Sequence, residues 1–180
     1  LYPVRNGVAS NHSSARPGTK SVCHYLGDLG YRVGLTGKKH ASPAETFPFE
    51  SLSEGNGKSQ KLDWEWMERF MGDDGGQPFC LFVCSQNAHA PWTEGDASQF
   101  DAEAIKLLPT QHDNPKTREV MRHYYAEVTA LDAQVGRTLA ILEKSGKADN
   151  TLVIFSSEQG WALGFSKWSN WNMGVHTAFV

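Results

Sequence analysis

The sequence predicts an α/β fold, with helices packed around a mostly parallel sheet. Two observations carry the prediction. Apolar runs of strand length alternate along the chain with segments whose apolar residues recur every three or four positions, in the order helix, strand, helix, strand, long helix, strand. In addition, Phe79–Cys84 and Thr151–Ser156 are continuous apolar runs, the pattern of strands covered on both faces of a parallel sheet.

Each element has a local reason. Residues 1–18 are polar, with Pro and Gly, and read as loop. Thr19 is the expected N-cap of a helix whose Val22, Tyr25, Leu26 and Leu29 share a face. Gly30 stands where a C′ glycine ends such a helix. Tyr31–Thr36 is a β-prone run, and residues 37–60 form a long loop. Leu62, Trp66 and Phe70 mark a short helix over 62–71, with Trp64 and Trp66 in its core or rim, and residues 73–76 (Asp-Asp-Gly-Gly) make a turn. Residues 85–113 return to loop. Asn114-Pro115 reads as N-cap and N1 of a long helix. Its apolar stripe is Met121, Tyr124, Val128, Leu131, Val135, Leu139 and Leu142, and Gly146 closes it. The ends, Leu1-Tyr2-Pro3 and an apolar stretch running to Val180, both read as interior to a longer sequence.

Composition narrows the function classes. The 180 residues suffice for one sizeable core. No apolar run is long enough to span a bilayer, and 11% aromatic residues argue for a packed interior. A net charge of −3 gives no overall basic field for nucleic acid. Cys23, Cys80 and Cys84 form no C-x-x-C pair, so neither a disulfide framework nor a zinc finger is indicated; Cys80 and Cys84 read as buried small apolar residues.

In open α/β sheets, ligands sit beyond the carboxyl ends of the strands. The first strand is followed by Lys38, Lys39 and His40, the second by a loop containing His89, and the third by Glu158 and Gln159, with Lys167 downstream. Three parallel neighbouring strands would gather these into one crevice. Lysine and histidine stabilise an oxyanion or a leaving group, and a carboxylate beside a carboxamide offers hard oxygen ligands to Ca²⁺ or Mg²⁺. Together they suit metal-assisted hydrolysis of a sulfate or phosphate ester. Taken singly, each has an ordinary reading: solvated turn lysines, loop histidines, a capping Glu-Gln pair, a surface lysine beside Trp168.

Four segments carry a resemblance. Tyr25–His40 resembles the sulfatase segment Y-L-x-x-x-G-Y-x-T-G-x-x-G-K-x-H. Pro78–Trp92, ending His89-Ala90-Pro91-Trp92, resembles P-F-F-L-x-V…P-H-x-P-W. Tyr124–Gly136 resembles Y-Y-A-x-V-x-x-L-D-x-x-V-G, and Asp149–Ser157 resembles D-N-T-L-V-I-F-T-S. Leu1-Tyr2-Pro3 is similar to the tail of T-G-x-Y-P.

The resemblance is to the type I, formylglycine-dependent sulfatases of the alkaline phosphatase-like superfamily. It implies an α/β sandwich and hydrolysis of sulfate esters, on a sugar or polysaccharide. It implies a formylglycine nucleophile and Ca²⁺ (or Mg²⁺). By position, Lys38 matches a lysine contacting nucleophile and sulfate, and Lys167 a second sulfate-binding lysine. His40 matches a histidine that holds a formylglycine hydroxyl, and His89 a leaving-group donor. Glu158 and Gln159 stand where Asp followed by Asn or His usually bind metal, each one methylene longer. His176 stands near a usual arginine, and Ala178 near a usual proline. No C/S-x-P-x-R occurs in the 180 residues, and the expected Asp-Asp pair is missing. Residues 1–180 are therefore expected to be part of a catalytic domain, with the formylglycine segment upstream, and inactive alone. A phosphate or phosphonate ester hydrolase of the same superfamily and a non-catalytic sulfatase-like remnant remain alternatives. The resemblance implies periplasmic, secreted or lysosomal placement, no nucleic-acid partner and no membrane span in this segment.

Overall fold

The computed structural model describes residues 3–10, 12–51, 61–73 and 75–180. Residues 52–60 of the expected loop, Asp74 of the expected turn, and Leu1 and Tyr2 lie outside them. The chain divides into two compact units, residues 1–86 and 87–180.

The first unit is a small parallel sheet with helices. A single turn, α1 (Pro3–Asn6), interrupts the expected opening loop. Helix α2 (Val22–Asp28) begins two residues later than expected: Ser21, not Thr19, is the N-cap, and His24 returns a hydrogen bond to the Ser21 backbone. A hydroxyl at 21 with a ring acceptor three residues on satisfies two otherwise orphaned N–H groups, and Thr19 has no such partner at its third residue. Gly30 ends the helix as expected. Its φ is 84°, and the N–H groups of Gly30 and Tyr31 bond the carbonyls of Gly27 and Leu26.

Strand β1 (Arg32–Gly37) pairs in parallel with β2 (Phe79–Cys84), in register from Arg32↔Phe79 to Gly37↔Cys84. Between them runs α3 (Trp64–Gly72), capped by Asp63. Pleating puts Arg32, Gly34 and Thr36 on one face with Phe79. There α3 packs: Trp66 stacks on Phe70 at 4.8 Å, and Phe70 meets Phe79 edge-on at 5.9 Å. Gly34 permits this approach, because a Cβ there would lie 2.7 Å from the Phe70 ring. Val33 and Leu35 are buried on the other face. On that face Phe49 meets Phe82 at 5.5 Å, and burial pushes the thiols of Cys23 and Cys80 above their ordinary pKa. Cys80 and Cys84 are half-buried, however, and Phe82 is 36% exposed. The second strand is thus less covered than its unbroken apolar run predicts, since a run reports the tendency to be buried and not the area of the layers available.

The second unit is built on α4 (Pro115–Lys144), with Asn114 as N-cap, Pro115 at N1 and Gly146 beyond its end. Met121, Ala126, Ile141 and Leu142 are buried, whereas Val128 and Leu139 of the expected stripe are each 39% exposed. Two 3₁₀ turns, Ala97–Gln99 and Ala102–Ala104, lie on α4 and are pinned by arginines. Arg118 donates to the carbonyls of Ala102, Glu103 and Ile105, and Arg122 to those of Ala97 and Phe100. The helix is followed by a turn at Ala148–Asn150. The chain closes with α5 (Asn172–Val175).

The expected third strand, Thr151–Ser156, is a correction. Among the described residues it forms no ladder: Phe155 exchanges two backbone hydrogen bonds with Val180, and Ser156 bridges Phe179 in antiparallel sense. Leu152 remains 85% exposed. β-propensity marks a segment fit to join a sheet, but a strand exists only where a partner supplies the other half of each hydrogen bond.

Candidate functional site

The sequence-predicted residues fall into two groups, one on each unit. In the first, Lys38 and His40 leave the carboxyl end of β1, and the Lys38 N–H bonds the Cys84 carbonyl at 2.7 Å, one step beyond the paired strands. Gly37 makes this continuation possible, since its φ is 87° and any Cβ would overlap that same carbonyl. Lys39 points elsewhere, its ammonium 5.8 Å from the Phe49 ring.

His40 has a partner that sequence reasoning missed. Its Nε2 lies 2.8 Å from Nδ1 of His12, with ring centroids 4.5 Å apart. The pairing of residues 12–15 with 40–42 sets this up: Ala15 N–H bonds the Ser42 carbonyl, and the Ser14 and Ser42 hydroxyls meet at 3.0 Å. One imidazole donates and the other accepts, so Nδ1 is the nitrogen of His40 left for other chemistry.

In the second unit, His89 sits in a loop closed on itself. Asn87 Nδ2 donates to Glu94, and Trp92 Nε1 to the Ala88 carbonyl, at 3.1 Å each. The loop is anchored to α4 because Glu127, buried at 4% exposure, accepts the Glu94 N–H at 2.8 Å. Glu127 was legible as a charge lying on the apolar stripe, three residues from Tyr124 and four from Leu131. The ring Nδ1 of His89 bonds the carbonyl of Ala90. A carbonyl only accepts, so Nδ1 carries the proton and Nε2 is free to exchange one.

Glu158, Gln159 and Lys167 occupy a segment closed on itself by hydrogen bonds. Gly160 N–H bonds the Gly174 carbonyl at 3.1 Å, and Lys167 N–H bonds the Trp161 carbonyl at 3.0 Å. Ser166, 1% exposed, donates its hydroxyl to the Met173 carbonyl at 2.6 Å. The Ser157 hydroxyl bonds the Gln159 carbonyl. An aromatic chain joins this segment to the His89 loop: Trp92 meets Tyr124 at 5.6 Å, and Tyr124 meets Trp161 at 5.3 Å. Burial there pushes the Tyr124 phenol above its ordinary pKa. His176 is exposed, its N–H closing α5 on the Asn172 carbonyl.

A metal would find hard oxygen donors at Glu158 and Gln159, which fit Ca²⁺ or Mg²⁺ in kind. Among the described residues, no three His, Cys, Asp or Glu side chains come together as a metal-binding group.

The sulfatase family model matches residues 1–179. This chain belongs to the sulfatase family. The sulfatase chain is 27% identical to an ulvan-active sulfatase of Formosa agariphila over 99% of its length, which is 36% of that relative. It is 37% identical to human iduronate 2-sulfatase over 52% of its length and 18% of that relative. Human N-sulphoglucosamine sulphohydrolase is 24% identical over 89% of the chain and 38% of that relative. The chain therefore spans at most about two fifths of these curated relatives. Family membership agrees with the four sequence motifs and with the small parallel sheet flanked by helices. Among the described residues, no helix is long and apolar enough to cross a membrane.

Proposed function

We propose that this chain is part of the catalytic domain of an enzyme that hydrolyses sulfate esters on a saccharide. The observation that carries the reading is the family match over residues 1–179; the resemblance in sequence supports roles for Lys38, His40, His89 and Lys167 within it. The names of relatives support a sugar substrate, since they include ulvan, iduronate and N-acetylglucosamine.

In this reading Lys38 and Lys167 hold the sulfate oxygens. The Lys38 backbone is tied to β2 and the Lys167 backbone to the Trp161 carbonyl, which places the roots of the two side chains. A cation beside a developing oxyanion stabilises the charge as it builds up. With its Nδ1 proton held by the Ala90 carbonyl, His89 can act on the leaving oxygen only through Nε2: it gives up a second proton carried there and returns to the neutral ring. His40 moves a proton at Nδ1, its Nε2 being held by His12. Glu158 and Gln159 would hold a Ca²⁺ or Mg²⁺ through their side-chain oxygens, and the ion would neutralise sulfate charge. A formylglycine, which the family implies, would supply the nucleophilic oxygen.

The test is turnover by the full-length protein of ulvan and heparin oligosaccharides, 4-nitrophenyl sulfate and 4-nitrophenyl phosphate. Sulfate turnover is expected, with Lys167→Ala lowering it at least about tenfold, the loss of one oxyanion contact. A clear preference for phosphate would replace the reading with phosphoester hydrolysis. No turnover of either would leave a non-catalytic sulfatase-like protein.

A further inference from the structure

His12 is brought to His40 by a turn within the stretch that the sequence alone reads as loop. The Ser13 N–H and hydroxyl both bond the Ser10 carbonyl, at 3.2 and 2.6 Å, and the Ser10 N–H bonds the Ser13 hydroxyl oxygen. His12 stands inside this turn with φ of 65°, a left-handed conformation that histidine enters more readily than most side chains. The residues that follow pair with the segment after His40: the Ala15 N–H bonds the Ser42 carbonyl at 2.9 Å, and the hydroxyls of Ser14 and Ser42 meet at 3.0 Å.

The result is a contact between imidazoles, His40 Nε2 to His12 Nδ1 at 2.8 Å. One proton lies between the two nitrogens, and its owner sets the chemistry of both rings. If His12 donated it, both neutral rings would carry their protons on Nδ1. If His40 donates it, both carry them on Nε2, the tautomer that a neutral alkyl-imidazole intrinsically favours. The second arrangement leaves a lone pair on His40 Nδ1. When a proton reaches it from an O–H group, an N–H bond forms at Nδ1 and the oxygen keeps the electron pair. His40 is then an imidazolium whose Nε2–H is already aimed at an acceptor. A hydrogen bond from a charged donor is roughly twice as strong as a neutral one, so the contact tightens as the charge forms. The acceptor is an imidazole and not a carboxylate, so it adds no negative charge beside an anionic sulfate.

We propose that His12 is a positioning residue for proton transfer at His40: by accepting the Nε2 proton it fixes the ring and the tautomer that present Nδ1 to the reacting group. This rests on the reading of His40 as a group that moves a proton during sulfate-ester hydrolysis, and it adds the residue that makes Nδ1 the basic nitrogen. The effect of His12 passes entirely through His40.

The experiment compares His12→Asn and His12→Phe with wild type in the full-length protein. Asparagine places a carboxamide oxygen near the position of Nδ1, whereas phenylalanine keeps a flat ring without an acceptor. The substrate is 4-nitrophenyl sulfate, with inorganic sulfate as competitive inhibitor. His12→Phe is expected to lower kcat at least about tenfold, the effect of losing a group that orients a working imidazole, and to leave KM and sulfate inhibition within about twofold of wild type. His12→Asn is expected to recover most of kcat. Equal losses in the two variants overturn the proposal, as does an unchanged kcat in His12→Phe. So does a parallel weakening of sulfate inhibition, which would make the pair a support for the anion site. A second measurement needs neither turnover nor a variant of His12: long-range proton–nitrogen NMR correlation with isotope-labelled histidine, His40 being assigned by the signals lost in His40→Gln. A neutral His40 ring protonated on Nε2 supports the proposal. One protonated on Nδ1, or an even mixture of the two tautomers, refutes it. If wild type turns over no sulfate ester, the activity reading fails and the positioning role with it, while the tautomer measurement still shows whether His12 holds Nε2.

Discussion

Gly160→Ala is expected to open the segment that carries Lys167. A Cβ at 160 would overlap the Met173 carbonyl oxygen and the Ser166 hydroxyl. The carbonyl is backbone, so relief requires the chain to separate there, at a cost of about 1–3 kcal/mol for overpacking. Separation also strains the Gly160–Gly174 and Ser166–Met173 hydrogen bonds, each worth about 1 kcal/mol. A total of about 3 kcal/mol corresponds to roughly a hundredfold increase in local opening. Gly164→Ala is the matched control, because a Cβ at 164 meets nothing within 4 Å. The assay is amide hydrogen exchange at Gly160, Lys167, Ser169 and Gly174, whose N–H groups all donate within the segment. Gly160→Ala is expected to accelerate these amides about a hundredfold, and Gly164→Ala less than threefold. Similar rates in the two variants would mean that close approach at Gly160 does not hold the segment together.

Two further outcomes are expected. Glu127→Ala leaves the Glu94 N–H without its acceptor and should cost about 1–3 kcal/mol in urea unfolding, while Glu127→Gln keeps a carbonyl oxygen in place and costs less; equal losses would mean that the contact is unimportant. The raised pKa values of Cys23 and Cys80, caused chiefly by burial, keep both as thiols above the ordinary value of 9.0. In unfolding measured against pH, their contribution to stability should be fully present below pH 9.0 and be lost as pH rises through the folded values; iodoacetamide labelling of both that keeps pace with an unfolded chain would contradict this.

Much of the fold was legible because local chemistry wrote it. Asn114-Pro115 and Gly146 bound the long helix in the sequence as in the structure, since a cap needs only its own neighbours. The parallel pairing of the first two strands followed from the intervening helix. Thr151–Ser156 was misread for the opposite reason: its apolar run is local, but a ladder is a property of two segments. Among the site residues, the positions of Lys38, His89 and Lys167 came from strand ends and motifs. What holds them did not. The His12–His40 pair joins residues 28 apart, and the Glu94–Glu127 anchor joins residues 33 apart.

By itself, then, the sequence determined the alternation of elements, the helix ends, the sulfatase motifs and the kinds of group available for binding an anion. Periodicity, capping and side-chain chemistry are properties of neighbours along the chain. Tertiary structure alone decided that Nδ1 of His40 is the nitrogen left for proton transfer, because His12, 28 residues away, takes Nε2. That fact depends on which atoms distant segments bring within hydrogen-bonding reach.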